Sequence, residues 1–176
     1  MSKENFLNFL RFEKRYSAHT LIAYEQEIDS FQAFLNDQKR IVADADFRLV
    51  RHYLSVMKDS GKQASSINRS ISSLRSFYKF LCREGVVESN PMSLVQALKM
   101  PKKLPVVVEQ DKMVSLLDAG CADENDFEQV RDFVILELLF GTGIRVAELL
   151  AIRERDVDTY HKKILIHGKR GKERFV

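Results

Sequence analysis

The sequence predicts a mainly helical protein in two parts: four helices before residue 86, then further helices that end in a β-hairpin. Three observations support this fold class. Apolar residues in the first half recur at steps of three and four, which is the helical period. A proline-containing break follows residue 90. The last residues, "KKILIHGKRGKERFV", have the pattern of a strand, a basic turn and a second strand.

Four helices account for the N-terminal part. The second has the most regular period, because Leu21, Tyr24, Ile28, Phe31 and Leu35 alternate steps of three and four. Local signals mark the ends: serines at positions 2 and 17 are expected N-caps, and the glycine at 85 is an expected C-terminal stop. The helices are expected over about residues 3–13, 18–36, 45–60 and 64–84.

A linker separates the two parts, because "ALKMPKKLPVVV" holds two of the three prolines and the residue before proline avoids helical geometry. The expected division is a helical domain at 1–98, a linker at 99–108 and a second domain from 109 to 176. In that domain "EQDKMVSLLDAG" predicts a short helix and "FEQVRDFVILELLF" a longer, buried one. A Gly-Thr-Gly turn at 141–143 and a helix over about 145–152 follow.

Composition excludes several classes of protein. Two cysteines without a CxxC or Cys/His spacing indicate neither a zinc site nor a disulfide framework, so we expect a reducing, cytoplasmic setting. The longest apolar run, "FVILELLF", is too short for a membrane span and contains Glu137. The first residues given are charged throughout, so we expect no signal peptide there. A net charge of +3 does not by itself indicate nucleic-acid binding.

The fourth helix has a cationic side that faces away from its apolar side. No acid lies between residues 62 and 83, and serines separate the cations, so a phosphate backbone could come close. The alternative is a solvated face that happens to lack acids. The residues of this predicted DNA-facing set are Ser65, Asn68, Arg69, Ser72, Ser76, Lys79 and Arg83, with Arg75 at the edge.

The start of the second helix is a second candidate for phosphate binding. Ser17, His19 and Thr20 lie where free backbone N–H groups attract an anion. Ser17 could instead only cap the helix, and the two roles are compatible. The rest of this helix is expected to expose Glu25, Glu27 and Asp29, which DNA would repel.

Two cations in the second part suit phosphate chemistry. Arg145 follows the Gly-Thr-Gly turn, where it could bind two phosphate oxygens; alternatively it is a surface arginine paired with Glu148. Lys169 lies between Gly168 and Gly171 in the predicted hairpin turn, where it could protonate a leaving alkoxide. The alternative for Lys169 is a solvated hairpin tip. Tyr160 and His161 are expected loop residues.

Together these segments resemble the tyrosine recombinase (phage integrase) family, and within it the Xer-like branch. "SAHTLIAYEQEIDSFQAFL" and "SSINRSISSLRSFYKFLCREGVVESNP" are similar to the second and fourth helices of its core-binding domain. "PKKLPVVVEQDKMVSLL" is similar to its interdomain linker and first catalytic-domain helix. "LLFGTGIRVAELLAIRERDVD" resembles the segment with the first catalytic arginine, and "ILIHGKRGKERFV" resembles the hairpin with the catalytic lysine.

The resemblance implies a four-helix, SAM-like core-binding domain and the start of an α+β catalytic domain, which close on duplex DNA from two sides. Family chemistry needs no metal or cofactor: a tyrosine attacks a phosphodiester and forms a 3′-phosphotyrosyl link, and a tetramer acts on two duplexes. Arg145 would neutralise charge on the phosphate, Lys169 would protonate the departing 5′-oxygen, and Glu148 would orient Arg145.

The family's His-x-x-Arg pair, its later His or Trp and its nucleophilic tyrosine match no position before Val176. The resemblance therefore implies an N-terminal fragment that cleaves no DNA alone. Two other functions stay open: a non-catalytic DNA-binding or decoy protein with the same fold, and a helical protein-interaction module without a role on DNA.

Overall fold

The fold is mainly helical with one small antiparallel sheet, as predicted. The computed structural model describes residues 2–101, 104, 107–121, 123, 125–168 and 171–176. Contacts divide the chain into two units, Met1–Lys103 and Leu104–Val176. In the described part of the chain, no helix has the length and apolar character needed to cross a membrane.

The first unit consists of four helical segments whose extents agree with the sequence prediction to within two residues. Helix α1 (Ser2–Asn8) continues as a wider π-helical turn, Phe9–Glu13. Helices α2 (Ala18–Asp37), α3 (Phe47–Asp59) and α4 (Ala64–Arg83) follow. A short 3₁₀ turn, Val42–Asp44, joins α2 to α3.

Local caps explain why these helices begin and end where they do. Ser17 Oγ accepts a hydrogen bond from the Thr20 backbone N–H at 3.4 Å, so the predicted N-cap of α2 is confirmed. Asp46 Oδ1 does the same for α3, accepting from the Leu49 N–H at 2.7 Å. Gly85, with φ of +69°, follows the end of α4. Ser2 itself belongs to α1, so its prediction as an N-cap was wrong.

The core of the first unit lies between the apolar faces of all four helices. Phe6 from α1, Phe31 from α2 and Phe77 from α4 are fully buried. The rings of Phe6 and Phe77 are in contact, with 5.2 Å between their centroids, and the Phe31 ring meets the Tyr78 ring edge-on at 6.2 Å. Tyr78 is also buried; its hydroxyl donates to the Val42 carbonyl at 3.0 Å, and burial raises its pKa. The predicted inward side of α4 is therefore confirmed.

The described part of the second unit contains three α-helices, a 3₁₀ turn at Glu154–Asp156 and a three-stranded sheet. Helices α5 (Gln110–Asp118), α6 (Phe127–Thr142) and α7 (Val146–Leu149) precede strands β1 (Val157–Asp158), β2 (Lys163–His167) and β3 (Glu173–Phe175). The strands pair antiparallel in chain order. The predicted hairpin of β2 and β3 is confirmed, whereas the sequence analysis missed β1.

Two expectations about α6 were wrong. The helix continues through Gly141 and Thr142, and only Gly143, with φ of +63°, has the left-handed conformation that ends it. The helix is also not buried, since Phe127 is 75% and Phe140 44% exposed. Among the described residues, only Ile144 and Ile166 are buried apolar side chains in this unit, so its elements leave the apolar side of α6 uncovered.

Candidate nucleic-acid interface and phosphate site

The cationic side of α4 lies on the surface of the first unit. Most of the predicted DNA-facing residues are exposed, and the two half-buried ones are Asn68 and Ser76. Ser72 and Ser76 donate their hydroxyls to carbonyls one turn earlier, Asn68 O and Ser72 O, at 2.9 and 3.0 Å. These serine side chains fold back onto the helix, so they project little from this face. The exposed members are Ser65, Arg69, Ser72, Arg75, Lys79 and Arg83.

Two residues of this set bind the segment that leaves the helical unit. The Asn68 side-chain amide donates to Leu98 O at 2.9 Å and accepts from Leu98 N at 2.7 Å. Arg75 Nη2 donates to Val95 O at 2.6 Å. Residues 92–98, which we call the exit segment, are neither helix nor strand, so their backbone groups need such partners. A DNA contact of Asn68 or Arg75 remains a prediction. In the structure, both side chains bind the exit segment.

Arg69 has an acidic partner that the sequence of α4 does not show. Its Nε lies 3.0 Å from Glu27 Oε1, and Glu27 belongs to α2. Glu27 is only 7% exposed, so the expectation that it stands on the exposed side of α2 was wrong. The pairing explains the burial, because a carboxylate leaves water only where a charge or hydrogen bond compensates it.

The residues just before α2 and the C-terminal half of the α4 face border the same hollow. Ser76, Lys79 and Arg83 line it from α4, together with Lys14 and Tyr16 from the approach to α2. The Arg83 guanidinium lies over the Phe9 ring at 4.2 Å and pairs with Glu84 at 3.0 Å. Lys79 is exposed and has no polar partner among the described residues. Ser17, His19 and Thr20 do not line this hollow, although Tyr16 directly precedes Ser17.

At the first turn of α2, the hydroxyl groups of Ser17 and Thr20 take part in the N-cap. Ser17 Oγ and Thr20 Oγ1 are 2.9 Å apart, and Ser17 also accepts the Thr20 N–H. His19 is exposed. This geometry matches the structural alternative for Ser17, and a phosphate contact at these three residues stays a prediction.

In the second unit, a buried carboxylate binds the predicted catalytic arginine. Glu148 is 7% exposed, whereas the Arg145 side chain is 75% exposed. Glu148 Oε2 accepts from the Arg145 backbone N–H at 3.0 Å, and Oε1 accepts from Arg145 Nη1 at 2.8 Å. Arg145 is the N-cap residue of α7, so the carboxylate also satisfies the free N–H at that helix start.

A second arginine, Arg174 of β3, shares the same carboxylate. Its Nη2 lies 2.8 Å from Glu148 Oε2 and its Nη1 3.4 Å from Oε1. The hydrogen bonds from Arg174 and from the Arg145 backbone and side chain lower the pKa of Glu148 to about 2. Sequence reasoning missed Arg174; the only available signal was a cation in the strand after the lysine turn.

Lys169 lies outside the described residues, but the chain directly before it does not. Gly168 N donates to Lys172 O at 2.6 Å. A Cβ at position 168 would meet Lys172 O at 3.1 Å and Glu148 Oε1 at 3.6 Å, so this glycine lets the turn lie against the carboxylate. The residue before Lys169 therefore adjoins the partner of Arg145, and the convergence of the two cations remains a prediction.

A second polar contact holds the end of β2, and sequence reasoning had no signal for it. His167 Nε2 lies 3.3 Å from Asp156 Oδ1, and His167 Nδ1 lies 3.1 Å from Glu173 Oε1. Asp156 is buried, and its pKa is lowered first by the hydrogen bond from the Arg153 backbone N–H and then by His167.

Tyr160 and His161 lie in a turn, as expected.

The exit segment provides a first test. Replacing Asn68 with Ala removes both hydrogen bonds to Leu98, so we expect the Leu98 amide to exchange with deuterium faster; each bond contributes about 1 kcal/mol. Hydrogen–deuterium exchange with mass spectrometry measures this. Ser65→Ala on the same helix is the control and should leave Leu98 protection unchanged. Unchanged protection in N68A would contradict the anchoring role.

The Glu148 carboxylate provides a second test. Its pKa falls from 4.5 to about 2 on folding, so its contribution to stability is complete above about pH 4.5 and is lost as the pH falls towards 2. Thermal unfolding of the wild type and of Glu148→Gln should therefore show a difference in Tm that is constant at neutral pH and shrinks between pH 4.5 and 2. A difference that does not depend on pH would refute this assignment.

Comparison with known proteins agrees with both units. The family model "Phage integrase, N-terminal SAM-like domain" matches residues 4–85, and the model "Phage integrase family" matches residues 107–176. Tyrosine recombinase XerC of Listeria innocua is 42% identical over 175 residues, which are 99% of this chain and 58% of that protein. XerC of Bacillus subtilis is 36% identical over 172 residues, or 97% of this chain and 56% of that protein.

Solved structures show the same fold. A lambda integrase (75-356) dimer bound to a COC′ core site has a TM-score of 0.72 at 20% identity, over 99% of this chain and 60% of that one. The Tn1549 transposon integrase in complex with circular intermediate DNA has a TM-score of 0.63 at 16% identity, over 99% of this chain and 58% of that one. The chain thus spans a little over half the length of these relatives, and it belongs to the phage integrase family of tyrosine recombinases.

Proposed function

We propose that this chain forms the DNA-binding and phosphate-binding part of a site-specific tyrosine recombinase, an enzyme of DNA recombination or DNA integration. One observation carries the proposal: the buried Glu148 carboxylate holds Arg145 while three quarters of the Arg145 side chain stays exposed. An arginine that gives one guanidinium N–H to a carboxylate and keeps most of its side chain exposed is suited to bind two oxygens of one phosphate through the others.

The charge distribution supports DNA binding by the first unit. Met1–Lys103 carries 17 Lys and Arg against 11 Asp and Glu, a formal charge of +6. Leu104–Val176 carries 11 against 14, a formal charge of −3. The modest net charge of the whole chain hides this difference. An excess of cations beside the α4 face favours attraction to a polyanionic duplex.

Within the first unit, the hollow beside Lys79 is the best-supported place for a DNA strand. Lys14, Lys79 and Arg83 supply charge at its border, and Tyr16 and Tyr24 supply apolar walls. Arg69, Asn68 and Arg75 already have partners inside the unit, as Arg83 has in Glu84, so Lys79 has the most free hydrogen-bonding capacity on this face. We therefore place the main phosphate contacts at the C-terminal half of α4 and at the approach to α2.

In the proposed reaction, Arg145 neutralises the charge that develops on the scissile phosphate. Lys169, one residue after Gly168, gives its proton to the departing 5′-oxygen. A tyrosine of the complete recombinase attacks the phosphorus and forms the 3′-phosphotyrosyl link; we assign no residue of this chain to that role. Because the link conserves the energy of the phosphodiester, the proposed reaction consumes no nucleotide cofactor.

The assembly and the location are part of the same proposal. Lambda integrase has been solved as a tetramer bound to a Holliday junction, so we propose a tetramer on two DNA sites for the complete recombinase. Its substrate would place it in the cytoplasm.

DNA binding by this chain is tested at Lys79. The change Lys79→Glu reverses an unpaired charge in the hollow, so we expect weaker binding to duplex DNA and a salt dependence lower by about one phosphate contact, a slope change near 0.9. Fluorescence anisotropy at several salt concentrations measures both. Lys58→Glu, at the end of α3, has the same charge change outside the proposed interface and should bind as the wild type does. Equal binding by K79E would remove this hollow from the interface.

Catalysis is tested at Arg145 in the complete recombinase. Arg145→Ala should lower the rate of strand cleavage by about 10³-fold or more, because the developing phosphate charge loses its main partner. DNA binding should largely survive. A nicked suicide substrate that traps the covalent complex measures cleavage, with Arg131→Ala on α6 as the control. Cleavage by R145A at the wild-type rate would overturn the catalytic assignment.

A further inference from the structure

Glu148 accepts four hydrogen bonds, and two arginines share each of its oxygens. Oε1 accepts from Arg145 Nη1 at 2.8 Å and from Arg174 Nη1 at 3.4 Å. Oε2 accepts from Arg145 N at 3.0 Å and from Arg174 Nη2 at 2.8 Å. A carboxylate has about four lone-pair sites, so this one is fully occupied. It cannot turn without breaking a bond to one arginine or the other.

The two arginines belong to different parts of the second unit. Arg145 precedes α7, whereas Arg174 lies in the middle of β3 and pairs with Ile166 of β2. Gly168, at the turn between β2 and β3, lies against the same carboxylate. The Glu148–Arg174 pair therefore joins the strand that follows the Lys169 turn to the residue that holds Arg145.

The charges of this cluster do not cancel. Arg145 and Arg174 contribute two positive charges and Glu148 one negative charge, so the group has an excess of one positive charge, which matches one phosphodiester. If Arg174 were absent, the negative charge of Glu148 would cancel the positive charge of Arg145. Sharing the carboxylate leaves the exposed Arg145 guanidinium with more attraction for an anion.

We propose that Arg174 is a positioning residue: it fixes the Glu148 carboxylate, and through it sets the direction and the free charge of the Arg145 guanidinium. The inference rests on the proposed role of Arg145 at a phosphate. Arg174 itself need not touch DNA. Its planar fork is required, because a lysine in its place keeps the charge but cannot bind both carboxylate oxygens in the same way.

The direct test uses the 176-residue chain and needs no DNA. Nitrogen-15 relaxation of the Arg145 Nε–Hε group reports how rigidly the guanidinium is held on the picosecond-to-nanosecond timescale. We expect a clear loss of order at Arg145 in both Arg174→Gln and Arg174→Lys. Arg131→Gln is the control, since Arg131 pairs with its neighbour Asp132 on α6, and it should leave Arg145 unchanged.

A purely structural role for Arg174 predicts a different result. R174Q would then lower the Tm while the Arg145 relaxation stays at its wild-type value, and this outcome would overturn the proposal. If R174Q does not fold, R174K decides the question, because it keeps the positive charge beside Glu148. Wild-type Arg145 order in a folded R174K would equally contradict a role for the fork.

A kinetic readout in the complete recombinase separates this inference from the proposed function. R174K should reduce strand cleavage by about 10²-fold through misplacement of Arg145, with little change in the Kd for DNA. Normal cleavage by Arg145→Ala would defeat the proposed function without affecting the relaxation result. Normal cleavage by R174K together with a defective R145A would defeat the positioning role alone.

Discussion

The Glu148 carboxylate is the interaction on which the second unit depends. A nearly buried charge is stable only with compensation, and here two guanidiniums and a backbone N–H supply it. The same bonds tie the start of α7 to β3. Because the carboxylate is inside and one guanidinium is outside, a structural ion pair also presents a cation at the surface. The contacts that stabilise this unit therefore also hold the arginine that we propose to bind phosphate.

In the first unit, too, charged residues on the surface make contacts that stabilise the fold. Its apolar core needs only one side of α4, and the fold then uses several polar residues of the other side for internal contacts. Asn68 and Arg75 hold the exit segment, and Arg69 compensates the buried Glu27. Lys79 and the rim of the hollow remain available for a ligand. A charged face predicted from sequence thus contains both residues with internal contacts and residues, such as Lys79, that stay exposed without a partner among the described residues.

The sequence predicted the parts of the fold that local physics determines. Helices α2 and α4 have a regular apolar period and local signals such as the Ser17 cap and Gly85, so their extents were recoverable. Contacts between distant residues were not: Arg69 meets Glu27 across 42 positions and Arg174 meets Glu148 across 26. The prediction that α6 is buried was wrong for the same reason, because burial depends on which distant residues pack against the helix.

The central claim is that Arg145, held from behind by Glu148, faces a DNA phosphate. A crystal structure with a short duplex tests it most directly. We expect two guanidinium N–H groups of Arg145 at about 2.7–2.9 Å from oxygens of one backbone phosphate, while Glu148 still accepts the Arg145 backbone N–H. An Arg145 guanidinium directed away from the DNA, or a Glu148 carboxylate released from both arginines in the complex, would contradict it.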